Sequence, residues 1–254
     1  MIFMWMIPAA TGGFGNFLVP LLIGVKDMAF PRLNAITFWL LPPAGVLLIA
    51  SFFVDPPQAG WTSYPPLSEV IAKTSQAMWI FSLILLGTSS IMAGLNFFVT
   101  ILKMRTSGMG FHQMPLFCWA MLGTSGLTLL ATPVLAAALI LLAFDFLAGT
   151  TFYNPTDGGD PVVYKHMFWY YSHQAVYIII LQMQRMISEI LPVHTRKPIF
   201  GYLAVAYSSI VIAFLSMIVW VHHLFTSGTP SLLRMFFMIT TMIIAVPTGI
   251  KVFS

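Results

Sequence analysis

Seven stretches of this chain, roughly residues 1–24, 36–54, 77–102, 116–145, 162–191, 200–225 and 232–254, are apolar for long enough to cross a lipid bilayer. About 20 helical residues span a hydrocarbon core of about 30 Å, so each run predicts one crossing. Only 7% of the 254 residues are charged, where a soluble domain carries about a quarter. The chain cannot cover itself with a water-compatible surface. It reads as a single membrane-embedded domain over residues 1–254, all-α, a polytopic transmembrane helix bundle. The second run, at nineteen residues, is short and is expected to extend or to tilt differently.

Loop charges orient the bundle. One set of loops carries Lys26, Arg32, Lys103, Arg105, Arg196 and Lys197, and the opposite set carries Lys73, Lys165 and Arg234. The positive-inside rule places the first set on the cytoplasmic or matrix side, the N-terminus outside and the C-terminus inside. Asp55, Glu69, Asp145, Asp157 and Asp160 all fall on the outer side, although acids contribute little to orientation. The eleven basic residues form no cluster, which gives no footprint for nucleic acid. Cys118 is the only cysteine, excluding an internal disulfide framework and a zinc site of several thiolates. The apolar start lacks the basic segment and cleavage site of a secretory signal, and both ends read as cut. Gly12-Gly13-Phe14-Gly15 fits either close helix packing or a local kink in the first span. The outer loops are punctuated by Asp55-Pro56-Pro57, Tyr64-Pro65-Pro66 and Asn154-Pro155-Thr156-Asp157-Gly158-Gly159-Asp160-Pro161, where helices must stop.

The stretch Trp169-Tyr170-Tyr171-Ser172-His173-Gln174-Ala175-Val176-Tyr177 places a histidine and a tyrosine at i and i+4, on one face of one span. Near the end of the next span, Trp220-Val221-His222-His223-Leu224 supplies two more imidazoles. His173 lies about 16 Å along its span at 1.5 Å per residue, and His222 lies near the outer end of the next one. All three rings therefore share the outer half. A single histidine in a span is as readily a hydrogen-bonded packing residue as a ligand. Three of them favour a site for a soft or borderline metal with the tyrosine hydroxyl beside it, because intramembrane ionisable groups are costly and usually functional. Trp169 and Trp220 stand out from the other aromatics and the seventeen methionines only by lying close to these histidines. His112, His166 and His194 fall in loops or at span ends, where solvation accounts for them. Lys251 follows Thr248 by one turn near the inner end of the last run. It reads as the entry to a proton path through Thr248 and Tyr177, or as a lysine that snorkels to the interface. Asp27 and Asn34, in the first inner loop, read either as the start of a second path or as surface groups.

At these residues the chain resembles subunit I of the haem–copper terminal oxidases, the cytochrome c oxidase family. The resemblance runs through Gly12-Gly13-Phe14-Gly15-Asn16, Asp27-Met28-Ala29-Phe30-Pro31-Arg32, Phe38-Trp39-Leu40-Leu41-Pro42-Pro43, Gly158-Gly159-Asp160-Pro161, Val219-Trp220-Val221-His222-His223 and Pro247-Thr248-Gly249-Ile250-Lys251-Val252-Phe253-Ser254. It implies about seven spans, the second through eighth, of a twelve-helix core. It further implies that His173, His222 and His223 are ligands of copper in a binuclear centre reducing dioxygen to water, with Tyr177 redox-active and cross-linked to His173. Thr248 and Lys251 would lie on one proton path; Asp27 and Asn34 would start another. Many members end that second path at a glutamate two residues after the first histidine, where this chain has Ala175. Tyr171-Ser172 is instead similar to a bacterial variant in which a Tyr-Ser pair relays the proton. Trp169 and Trp220 would assist electron transfer near the centre.

The same resemblance implies a respiratory enzyme that couples oxygen reduction to proton translocation. It would hold copper and two haems and work with other oxidase subunits, including an electron-accepting subunit II, in membrane lipid. Cytochrome c or quinol would be the donor, and a bacterial plasma membrane is favoured over a mitochondrial inner membrane. The haem axial ligands belong to segments outside this chain. Two features depart from the family pattern: Gln174 stands where a proline is usual, and Gln182-Met183-Gln184-Arg185 replaces a Pro-Gly-aromatic-Gly stretch. Loss of both prolines is expected to straighten the span and shift His173 relative to His222. Rival readings are the related nitric oxide reductase, which lacks this tyrosine; a divergent copper-binding or structural fragment without turnover; and a transporter, which the absence of an inverted repeat disfavours.

Overall fold

The structure, a computed structural model, describes residues 2–254, with side chains from residue 3 onward. Met1, where the first apolar run begins, lies outside the described residues. Among the described residues, seven helical spans are long and apolar enough to cross a membrane: α1 Phe3–Ile23, α2 Pro31–Val54, α3 Lys73–Lys103, α4 Leu116–Ala148, α5 Pro161–Thr195, α6 Tyr202–Leu224 and α7 Ser231–Phe253. No strand occurs among the described residues. The chain is therefore an all-helical integral membrane protein with the span order read from the apolar runs.

The spans begin where the local chemistry starts a helix, not where hydropathy rises. Pro31 and Pro161 open α2 and α5, and the Asp160 carboxylate accepts the Val162 N–H at 2.8 Å. Proline at the first turn sacrifices only an N–H that has no intrahelical partner, and the carboxylate satisfies another such donor. The short second run is extended in this way to a span of 24 residues. That span breaks between Pro31–Trp39 and Leu41–Val54, because Pro42 and Pro43 cannot donate to the carbonyls one turn earlier. Pro247 has the same effect in α7, which divides into Ser231–Ile243 and Ala245–Phe253.

α1 answers both readings of its glycines. Wide π-type turns cover Pro8–Phe14, which contains Gly12 and Gly13, and a Cβ added at either would meet nothing within 4 Å. Gly15 is the packing position: a Cβ there would come within 2.8 Å of Met121 and Phe97 side-chain carbons.

α4 is the centre of the bundle, packed against α1, α3, α5 and α6. Leu127, Ala131, Leu135, Ala138 and Leu142 of α4 form one buried cluster with Phe168, Ala175 and Ile178 of α5. Lipid is as apolar as these side chains, so close van der Waals contact supplies much of the association. The α4–α5 loop is drawn together by Asp145, which accepts from Thr150 Oγ1 at 2.6 Å, the Phe152 N–H at 2.9 Å and the Tyr153 N–H at 3.0 Å. Gly159 closes it. A Cβ there would fall 2.2 Å from the Thr151 carbonyl oxygen, so only glycine fits. This loop fixes where α5 enters, and α5 then runs unbroken through Gln174 and Gln182.

Candidate metal centre

α5 and α6 pack as neighbours, and their order places His173 near the 3₁₀ turn Trp220–Leu224 that ends α6. The tight turn projects the consecutive His222 and His223 toward the same ring of α5. Ring centroids are 4.6 Å apart for His173 and His222, 4.4 Å for His222 and His223, and 5.3 Å for His173 and His223. Nδ1 of His173 lies 3.1 Å from Nε2 of His223. One nitrogen from each ring lies within 4.8 Å of the other two. Imidazole nitrogens about 2 Å from one metal ion are at most about 4 Å apart, so side-chain rotation closing the set by roughly 1 Å would complete a three-nitrogen site.

The donor chemistry fits a metal. All three donors are imidazoles, a set that suits copper, zinc, iron or nickel and selects against hard cations. His173 is 6% exposed, and its Nε2 has no hydrogen-bond partner among the described residues. A buried polar atom left unpaired costs about 1–3 kcal/mol, a penalty that a metal bond would remove. His222 is oriented from behind by α7, with Nδ1 3.0 Å from Thr241 Oγ1. Such partners fix ring orientation, and their loss typically weakens metal binding by about 10–100-fold. Thr241→Val, which keeps the shape and removes the hydroxyl, is expected to weaken metal retention by that factor. Metal content across a chelator series measures it; parent-level retention would show that Thr241 does not orient the ligand.

The neighbouring aromatics fall into two groups. Tyr177 lies edge-on to His173 with centroids 4.8 Å apart. Trp169 stacks on His223 at 3.6 Å and 8°, and its indole N–H donates to the Tyr64 hydroxyl. Burial pushes the Tyr64 phenol above its ordinary value, and the bond from Trp169 partly offsets this. Trp220 packs against Tyr170 and Phe237 and donates to His166 Nδ1 at 3.4 Å, so its ring contacts are not the three imidazoles.

Other predicted residues lie elsewhere. Tyr171 and Ser172 are buried on α5, Tyr171 with its ring 5.9 Å from that of Phe3, and Ser172 Oγ has no partner among the described residues. At the basic end of the bundle, Thr248 donates to Ile244 of its own helix at 2.9 Å. Lys251 is only 8% exposed, with Nζ buried and unpartnered among the described residues. That lysine does not snorkel. Asp27 is exposed and accepts the Met28 N–H at 2.7 Å, and Asn34 is half-buried. Their loop is anchored by α3: Asn96 accepts from the Phe30 N–H and Thr100 from the Ala29 N–H, both at 2.9 Å.

The residues that depart from the family pattern face protein. Gln174 donates to the Ser216 carbonyl at 3.2 Å, at the point where the α-helical part of α6 ends. Gln182 exchanges contacts with Thr11 of α1, donating to its hydroxyl at 3.0 Å. Arg185 is held by α6 through Ser209, Ser208 and the Val205 carbonyl. Thr241 and the serine pair escaped sequence reasoning; polar residues inside apolar runs, such as Ser208-Ser209 and Thr240-Thr241, were the available signal.

A family model described as Cytochrome C and Quinol oxidase polypeptide I matches residues 1–254. Similar curated proteins include the cytochrome c oxidase subunit 1 of Synechocystis sp., 66% identical over 254 residues. The proteins of the same name from Thermostichus vulcanus and Cereibacter sphaeroides are 63% and 45% identical over 254 and 260 residues. Each alignment covers 100% of this chain and 46% of the relative, so the chain spans about half the length of the proteins it matches.

Proposed function

Since the chain belongs to the cytochrome c and quinol oxidase polypeptide I family, we propose that it is the copper-holding part of the catalytic subunit of a terminal respiratory oxidase. The observation that carries this reading is the convergence of His173, His222 and His223 from adjacent spans. In the complete protein the reaction would be reduction of dioxygen to water, coupled to proton translocation across a bacterial plasma membrane. Cytochrome c is the proposed donor, in keeping with the relatives' names, and other oxidase subunits would deliver its electrons. Both haems would be held by ligands outside residues 1–254.

Copper held by the three imidazoles would supply a Lewis-acidic, redox-active centre for dioxygen. The chain's own residues then have separable tasks. His173, His222 and His223 hold the ion in their neutral forms, His222 with its ring fixed by Thr241. Tyr177, edge-on to His173, would release an electron and the proton from Oη and recover both before the next cycle. Its proposed covalent link to His173 would hold the phenol at the centre. Trp169, in van der Waals contact with His223, would pass electrons more directly than Trp220 does. Tyr171 and Ser172 would hand protons between their hydroxyls on the route begun by Asp27 and Asn34, while Lys251 and Thr248 serve the route to Tyr177.

Copper content and oxygen consumption of the complete protein test the assignment together; a preparation with full haem and no copper at these histidines would overturn it. The Tyr-Ser relay has its own test. Tyr171→Phe is expected to slow proton-coupled turnover about tenfold, because a positioned proton carrier commonly contributes at least that much. Proton pumping at the parent rate in that variant would remove Tyr171 from the route.

A further inference from the structure

The end of the bundle that carries Asp55, Glu69, Asp145, Asp157 and Asp160 has only three basic residues, Lys73, Lys165 and Arg234. Lys73 opens α3 and is exposed, at the helix terminus where the dipole disfavours a cation. It stands at the mouth of a groove of about 630 Å³ whose lining is apolar except for Lys73 and Thr74. The floor is one stripe of α3, residues 73, 74, 77, 78, 81, 84 and 85, built on the i, i+4, i+8 spacing of a single helical face. Leu47 of α2 and Phe146 and Leu147 of α4 complete the lining. Both of those helices pack on α3, and the groove is the gap left between them over this stripe.

The length of the groove matches one leaflet. From Lys73 to Leu85 the floor runs about 18 Å at 1.5 Å per residue, against about 15 Å for half of a hydrocarbon core. Deeper in, α2 closes onto α3, where Ser89 donates to the Thr37 carbonyl at 2.8 Å. A transmembrane helix of another protein needs a surface along the whole core of about 30 Å, whereas the acyl chain of one lipid ends near the midplane, as this groove does. Phe81 and Leu147 are exposed, so the groove opens sideways to lipid. Charge sets the head-group end. The nearest acids in sequence, Glu69 and Asp145, do not line the groove; Asp145 already accepts from Thr150, Phe152 and Tyr153, and Glu69 Oε1 is buried. Among the described residues Lys73 is thus the one charged group that lines it.

We propose that this groove is a binding site for one anionic phospholipid: an acyl chain lies along α3 from Thr74 to Leu85, and the phosphate is held by the Lys73 ammonium and the Thr74 hydroxyl. A chain that leaves lipid for the groove is shielded from no additional water, so close packing retains it and the lysine selects the head group. One lysine near the membrane surface favours an anionic lipid by about fivefold.

The test places a photoreactive benzophenone side chain at position 147, on the rim, in the complete oxidase. The protein is equilibrated with mixed micelles of phosphatidylglycerol and phosphatidylcholine in equal amounts, illuminated, and its adducts are weighed by mass spectrometry. In the parent the phosphatidylglycerol adduct is expected to exceed the phosphatidylcholine adduct about fivefold. Lys73→Gln should bring the two to equal yield, Lys73→Arg should keep the preference, and Ala77→Phe, which fills the floor, should lower both. Equal yields in the parent, or an undiminished preference in Lys73→Gln, overturn the site. An adduct to another protein segment in place of lipid also overturns it, since the groove would then be a contact between helices.

Discussion

His222→Ala in the complete protein is expected to lower oxygen consumption by more than about 100-fold while leaving the haem spectrum in place. The expectation follows from what each imidazole contributes. His173 and His223 already face each other with nitrogens 3.1 Å apart, and His222 closes the triangle from the edge of His173. Without it, two nitrogens remain for an ion that needs at least three protein donors to be held with an open position. Alanine offers no replacement, and Thr241, which now holds the ring, is left facing a gap. A barrier increase of about 3 kcal/mol suffices for a hundredfold loss, and losing the ion removes much more than that. An oxygen electrode and metal analysis on the same preparation make the measurement. Unchanged oxygen consumption would refute the ligand assignment.

Ser209→Val is expected to destabilise the protein by about 3 kcal/mol, a large effect for a single hydroxyl. Ser209 Oγ receives two of the hydrogen bonds from Arg185 and is fully buried. Valine removes that acceptor while the charge stays inside, and breaking a buried charged contact from one side costs about 3–5 kcal/mol. The remaining contacts to Ser208 and the Val205 carbonyl place the value at the low end. For a chain of this size it corresponds to a fall of roughly 6–12 °C in the temperature at which the complex loses its folded spectrum. Combining Ser209→Val with Arg185→Met should recover most of the loss, since an apolar pair leaves nothing unsatisfied. Ser209→Val melting at the parent temperature would show that water or lipid reaches the guanidinium.

How much of this was legible in the sequence depended on whether one segment or two had to be known. The seven spans came from length and apolarity within single runs, and the His173–Tyr177 pair came from i,i+4 spacing. The meeting of three histidines also followed, because span order and depth suffice to place them in one half of the bundle. Starts such as Pro31 and Pro161 were missed because caps, not hydropathy, determine them. α5 runs unbroken through Gln174 and Gln182, and His173 stands against His222. What hydropathy does not encode is the rotation of one helix against another. For that reason Thr241 behind His222, Ser209 beneath Arg185 and Ser216 opposite Gln174 emerged only once the helices were placed.

The bond from Gln174 to the Ser216 carbonyl bears on how the site is held together. It joins the two ligand-bearing helices one residue after His173 and six residues before His222, using only backbone and amide. The polypeptide itself thus helps to hold His173 and His222 at the same level. A tether of this kind acts on the spacing of two helices and on no ligand, so the geometry of the three imidazoles depends on an amide that never touches the proposed metal.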